Sequence, residues 1–330
     1  MTIAAVTGAE GFIGSHLTEA LVERGYRVRA MALYNMHSSA GWLDTLAPAV
    51  REQVDVVFGD VRDPATVLRL VDGASVVYHL AAIGSVPYSY AAPRSFVDTN
   101  TIGTLNVLEA VRACQIPRLV HTSTSETYGT ARTVPISETH VLQAQSPYAA
   151  SKVAADKLAE SYHLSFGLPV VTLRPFNTFG PRQSTRAVIP QIITQLAGGA
   201  RQIVLGALDP TRDFCYVTDT AQAFIAVGEG PASAVLGEVF NCGPGEDIAI
   251  GSLAEEIAGL MGAEADIVED PERLRPKDSE VMRLVCDATK LRERTGWQPR
   301  HTRIDGLIRA ISWYRDPANL ARLAIGEYHQ

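Results

Sequence analysis

Tyr148 and Lys152 stand four residues apart in Tyr148-Ala149-Ala150-Ser151-Lys152, at the head of an Ala-rich stretch that predicts a helix through Lys157 and Leu158 to about Tyr162. One helical turn puts both side chains on the same face, so an ammonium would lie beside a phenol. A phenol ionises near pH ~10, and a fixed cation favours the phenolate, giving a base usable near neutral pH. Such a pair can take the proton of an alcohol. The spacing alone equally describes a surface helix with a half-buried Tyr and a solvated Lys. Two observations count against that. Of 29 basic residues only Lys152, Lys157, Lys277 and Lys290 are lysines, and the chain begins with a loop suited to phosphates, which would bring the hydride acceptor an alcohol-deprotonating Tyr needs.

That loop is Thr7-Gly8-Ala9-Glu10-Gly11-Phe12-Ile13-Gly14, preceded by the apolar run Ile3-Ala4-Ala5-Val6 and followed by a helix that stops at Gly25 and a second strand over 27–33. Strand, glycine turn, helix, strand is the dinucleotide-binding context. Gly8 permits the tight turn, Gly11 lets a pyrophosphate approach the backbone, and Gly14 lets helix and strand pack closely, while the helix start favours the phosphates. The second strand should end in an acid for the NAD ribose or be followed by a base for the NADP phosphate. The expected position falls near Ala32; Asn35 is the polar residue that follows, and NAD against NADP stays open. Further strands are expected over 54–59, 74–80 and 118–122, with helices over 64–71 and 93–114, the latter carrying Asn100. Asp60-Val61 would bracket the adenine, and the small residues Ala81-Ala82 suit backbone passing a ligand. The alternation implies a doubly wound parallel α/β sheet. Its fifth strand empties into Ser123-Thr124-Ser125-Glu126-Thr127-Tyr128-Gly129, whose hydroxyls and carboxylate should face the Tyr148 cleft.

From about residue 175 the texture changes to a Gly/Pro loop over 176–182, helices over 188–196, 252–261 and 304–314, and a strand over 203–205. The expected organisation is a Rossmann domain of 1–174 and about 214–246, with 239–242 as one more strand of its sheet. A smaller α+β substrate domain would comprise about 175–213 and 247–330. The 330 residues, 46% apolar and 20% charged, suffice for a full core, and a net charge of -7 without a basic run argues against nucleic-acid or anionic-membrane partners. Cys114, Cys215, Cys242 and Cys286 form no CxxC or ligand cluster, so reduced thiols and no metal are expected. No apolar run approaches the ~18 residues of a membrane span, and no basic leader precedes the first strand; a cytoplasmic location is expected.

With the glycine turn, Ser123, Thr124, Tyr148 and Lys152 in this order, the chain resembles the extended short-chain dehydrogenase/reductases, and among them the sugar-nucleotide epimerases and dehydratases. Thr124-Ser125-Glu126 is similar to the Thr-Ser-Glu or Thr-Asp-Glu of nucleotide-sugar 4,6-dehydratases, where 4-epimerases lack the Glu. Gly180-Pro181-Arg182-Gln183, Ala187-Val188-Ile189-Pro190, Thr211-Arg212-Asp213-Phe214 and Pro87-Tyr88-Ser89-Tyr90 resemble the dehydratases acting on nucleotide-linked N-acetylglucosamine in legionaminic-acid-type pathways. The resemblance implies a tightly bound NAD, regenerated each cycle, with NADP left open, and adds Phe12, Ile13, Asn100 and Ser123 to its contacts. It implies that Tyr148, acidified by Lys152 and the cofactor, deprotonates the hexose 4-hydroxyl as hydride leaves carbon 4, and that Thr124 steadies the carbonyl. Glu126 then removes the carbon-5 proton, water leaves from carbon 6, and hydride returns there. Ser125 stands where some relatives carry an acidic Asp, so Glu126 would act twice. Hydride returning to carbon 4 instead would give a 5,6-ene sugar, and an epimerase would not need Glu126. Ser85, Tyr88, Asn177, Arg182, Val188, Arg212 and Arg275 would hold the substrate, most naturally a UDP-sugar. A homodimer would form by pairing the Asn100 and Tyr148 helices in a four-helix bundle, with Ala149, Ala150, Ala154 and Ala155 permitting close approach.

Overall fold

The structure is a computed structural model and describes residues 2–323; Met1 and residues 324–330, the end of the expected second domain, lie outside the described residues. Twelve strands follow one another: β1 (Ile3–Thr7), β2 (Arg27–Leu33), β3 (Val54–Gly59), β4 (Val76–His79), β5 (Leu119–Thr122), β6 (Val170–Pro175), β7 (Asn177–Phe179), β8 (Gln202–Leu205), β9 (Thr211–Tyr216), β10 (Val239–Cys242), β11 (Asp247–Ala249) and β12 (Asp266–Glu269). Seven make one sheet in the order β10-β6-β5-β4-β1-β2-β3, parallel throughout. Its central strands are buried on both faces, so every residue of β4 and β6 is buried rather than alternate ones, the polar His79, Thr172 and Arg174 included.

Helices Phe12–Glu23 and Val217–Glu229 pack together on one face, and Pro64–Val71 and Gly103–Ala113 on the other. The strand order reverses between β1 and β4, which opens a crevice at their carboxyl ends. After β6 the chain leaves this unit, returns for Val217–Glu229 and β10, and leaves again. The excursions build a three-stranded sheet, β11-β9-β7, and a parallel β12-β8 pair. With helices Val188–Ala197, Ile250–Met261 and Arg303–Arg315 they enclose a second core around Ile192, Leu253, Ile257, Leu307 and Tyr314.

Three local expectations are corrected. The 176–182 loop contains β7, because Asn177–Phe179 pairs with β9 more than thirty residues on, a partner that local sequence does not show. The long helix over 93–114 is interrupted by a π-helical turn, Val97–Ile102, between Pro93–Phe96 and Gly103–Ala113, and Asn100 sits buried in it. The Tyr148 helix spans Pro147–Phe166 and stops where Gly167 takes the left-handed conformation, φ 64°.

Candidate active site

The glycine turn joins β1 to the first helix. Gly8 has φ +67°, and a Cβ on Gly14 would stand 2.1 Å from the Gly8 carbonyl oxygen, so neither position admits a side chain without displacing backbone. Phe12–Glu23 has no side-chain cap and no acid in its first turn, which leaves the amides of Phe12 and Ile13 facing the crevice mouth for an anion. Opposite, Thr7 Oγ1 accepts from the amides of Leu80 and Ala81, at 3.1 and 3.0 Å, fixing the Ala81-Ala82 exit against the turn. Asn100 pins the same loop, donating 3.1 Å to the Ile83 carbonyl and accepting 2.8 Å from the Ile83 amide, and also donates 3.0 Å to Ser151 Oγ on the catalytic helix. The π-turn thereby ties the cofactor cleft to the Tyr148 helix, an arrangement that spacing could not reveal.

Asn35 is spent locally: its amide donates to the carbonyls of Leu33 and Ser39 and its oxygen accepts from the amides of His37 and Ser39. It organises the loop after β2 and is not free for a ribose. Asp60 is paired with Arg62 at 2.6 Å, and Val61 is buried beneath Gly103 with its carbonyl held by Asn106. Ser123, expected at the cofactor, points the other way, donating 2.6 Å to Asp156 in the interior.

Tyr148 enters its helix behind Ser146, the N-cap, and Pro147. Thr124 hydrogen-bonds its phenol, and burial pushes that phenol up to about 12, with the Glu126 charge adding to the rise. The expected acidification by Lys152 is therefore corrected. Lys152 is 4% exposed and donates 2.5 Å to the Thr122 carbonyl at the end of β5, so its ammonium is committed to the strand exit. Burial lowers Lys152 to about 8, against the pull of Asp156. If its charge is required, kcat will fall as pH rises through about 8, where the ammonium loses its proton; a profile flat to pH ~10 would refute that.

Ser125–Tyr128 forms a single 3₁₀ turn capped by the Thr124 hydroxyl. It buries Ser125 and leaves Glu126 half-buried at the cleft, where its charge acts on both Tyr148 and Arg212.

Behind Lys152, one turn further on, lies Asp156. It accepts 2.7 Å from Arg174, 3.0 Å from His121 and 2.6 Å from Ser123, all buried. Arg174 in turn donates to Tyr128, whose hydroxyl donates to Asn241. Burial alone would raise the Asp156 carboxyl, but Arg174 and His121 hold it well below the usual carboxylate range. A depressed carboxyl stabilises the fold at pH above its unfolded value near 3.8 and loses that contribution as pH falls through its folded value. Asp156→Asn should cost about 3–5 kcal/mol by stranding Arg174 and flatten the decline of Tm below pH ~4. Thermal denaturation from pH ~3 to ~7 checks both, and an unchanged Tm at neutral pH would refute the first.

On the opposing wall the second sheet brings arginines to the cleft. Arg212, buried in β9, pairs with Glu280 at 3.0 Å, and Arg275 reaches the same oxygen at 3.5 Å while its Nη1 has no hydrogen-bond partner. Two guanidiniums thus share one carboxylate. Asn177 Oδ1 on β7 is likewise buried without a partner, and Val188 begins the helix beside it. Arg182 is elsewhere: it forms a two-pronged pair with Glu19 of the first helix at 2.8 and 2.9 Å, which corrects its expected place at the substrate. Ser85 caps the short helix Val86–Ala91. Tyr88 lies against Phe96, whose ring is 6.1 Å from that of Tyr148. Across the rim, Tyr90 and Ser279 share a hydrogen bond of 2.6 Å, and Ser279 donates to Gln145. Among the described residues no group of His, Cys, Asp and Glu is placed to hold a metal, and no helix is long and apolar enough to cross a membrane.

A family model described as GDP-mannose 4,6 dehydratase matches residues 5–311. The chain belongs to this family. Within it, a dTDP-glucose 4,6-dehydratase of Xanthomonas campestris pv. campestris is 33% identical over 333 residues, covering 94% of this chain and 92% of the relative. A UDP-glucose 4-epimerase of Mycolicibacterium smegmatis is 32% identical, covering 94% and 98%. The solved structure of a dTDP-glucose 4,6-dehydratase double mutant from Streptomyces venezuelae, with NAD bound, superposes with a TM-score of 0.84 at 29% identity over 97% of this chain and 98% of that one. Dehydratases and epimerases of nucleotide sugars therefore both stand near this chain.

Proposed function

We infer that the protein is an NAD-dependent nucleotide-sugar 4,6-dehydratase whose substrate is a nucleotide-linked N-acetylglucosamine, with UDP as the nucleotide. The observation that carries the dehydratase over the epimerase is Glu126. It stands on a rigid turn, half-buried, close enough for its charge to act on Tyr148, and a 4-epimerase needs no second base there.

The free amides at Phe12 and Ile13, the bare glycines and the Ala81-Ala82 exit fit NAD, which when bound supplies a reversible hydride acceptor and a positive charge. Tyr148 takes the proton of the 4-hydroxyl, helped by the Thr124 hydrogen bond that favours its ionised form. Thr124 then steadies the carbonyl oxygen at carbon 4. That carbonyl acidifies the carbon-5 proton, which Glu126 removes. Ser125, buried and without an acidic proton to spare, leaves Glu126 to hand the proton to the oxygen departing from carbon 6. Arg212 and Arg275 hold the diphosphate, since guanidinium forks match phosphate oxygens and the Nη1 of Arg275 awaits an acceptor; the Oδ1 of Asn177, an acceptor without a donor, takes a hydroxyl of the sugar beside the phosphate. Val188 borders the base.

A homodimer through the Asn100 and Tyr148 helices accords with their exposed apolar residues Val97, Ile102, Leu164 and Phe166. Ala150 and Ala154 face outward for it, whereas Ala149 and Ala155 are buried within the protomer.

Mass spectrometry of the protein incubated in deuterated water with UDP-, GDP- and dTDP-linked sugars tests the reading. Loss of one water with one deuterium gained at carbon 5 from UDP-N-acetylglucosamine supports it; loss of water without that deuterium indicates a 5,6-ene product. Conversion without loss of mass indicates an epimerase.

A further inference from the structure

The sheet's second strand lacks an acid where a dinucleotide fold needs one, yet a carboxylate occupies that place. The residue at the position where that acid is expected is Ala32, fully buried. Glu10 is carried by the glycine turn, and its Oε1 accepts 3.1 Å from the amide of Leu33, the last residue of β2. Its Oε2 is buried with no hydrogen-bond partner. The loop after β2 packs against the backbone of Glu10: the Trp42 amide donates 3.0 Å to the Glu10 carbonyl, and Gly41, at φ +58°, lies so close that a Cβ would meet that oxygen at 2.8 Å. Trp42 is in turn packed edge-on against Trp313, ring centroids 5.5 Å apart. A carboxylate half satisfied and enclosed in this way is costly unless a donor completes it.

We propose that Glu10 holds the adenosine ribose hydroxyls of NAD from the glycine turn, taking over the work of a strand-end acid, and that its charge excludes the 2′-phosphate of NADP. The proposal rests on the NAD reading above. The ribose hydroxyls supply the donors that Oε2 lacks, and a charged acceptor makes such hydrogen bonds strong. A 2′-phosphate would set two anions together in a poorly solvated corner. The loop brings no compensating cation: between Leu33 and Ala47 the sequence has no Lys or Arg, and Asp44 adds a second acid, held by Ser39 and the Ala40 amide; Arg62, after the neighbouring strand, is paired with Asp60.

Glu10→Gln keeps an oxygen for the Leu33 amide and removes the charge, whereas Glu10→Ala removes both. Protein stripped of nucleotide is titrated calorimetrically with NAD, NADP and 2′-deoxy-NAD, and its Tm is recorded. The wild type should bind NAD tightly, reject NADP, and bind 2′-deoxy-NAD about tenfold to a hundredfold more weakly than NAD. In Glu10→Gln the preference for NAD over NADP should shrink at least about tenfold, and in Glu10→Ala the penalty for the missing hydroxyl should vanish. Variants with wild-type affinity ratios and only a lowered Tm would overturn the proposal, reducing Glu10 to a hook for Leu33. A wild type that binds neither dinucleotide would overturn the NAD reading and the proposal with it; binding of NAD with unchanged ratios removes the proposal alone.

Discussion

Tyr148→Phe is expected to abolish turnover, lowering kcat about a thousandfold, while leaving the fold and NAD occupancy intact. On the proposed reading the phenol oxygen is the base for the 4-hydroxyl, and its partner on the protein is the Thr124 hydroxyl, which solvent or substrate can satisfy when it is gone. The ring stays in place because Phe96 packs against it. Turnover by mass spectrometry, with bound nucleotide measured after denaturation, tests this. Activity within about tenfold of wild type would mean that another group takes the proton.

Glu126→Gln is expected to separate the two halves of the reaction. In the proposed mechanism oxidation at carbon 4 depends on Tyr148 and Thr124, so it should continue in part; elimination should fall by about a hundredfold to ten-thousandfold. The variant should therefore accumulate reduced cofactor, visible by its absorbance, without loss of water from the sugar. Gln preserves the size of the side chain on a turn whose backbone is fixed by Thr124, so a null result cannot be laid to collapse of the turn. Normal dehydration would show that neither proton transfer passes through Glu126.

The strands and helices of the first half were legible because each carries its own signal. The helix over 64–71 has Asp63 accepting from the first-turn amides and Pro64 behind it, and β3 is a run of branched residues between turns. The glycine turn was equally legible, since its demands are steric and fall on single positions. The arginines were not. Nothing in the residues flanking Arg182 or Arg212 names its partner, and only the fold decides that one meets Glu19 while the other pairs with Glu280. Nor was the environment of Lys152. Reading a charge one turn from a phenol as its neighbour ignored the Thr122 carbonyl thirty residues upstream, which claims the ammonium. Glu10 is illegible for a similar reason: the strand pattern points to an acid along β2, whereas in the fold a carboxylate from the glycine turn reaches the end of that strand. A signal was present, a charged residue inside a turn otherwise made of small ones.

The segment from Arg275 to Glu280 does two things at once. At one end it offers Arg275, and Glu280 as counter-ion to Arg212; in its middle Ser279 closes on Tyr90 and Gln145 at the rim above Tyr148. On the reading proposed above, the groups that would anchor the phosphates and the group that closes the rim belong to one short segment. The nucleotide would then serve as a handle, tethering the unsaturated intermediate by a point far from the bonds being broken until the second half-reaction.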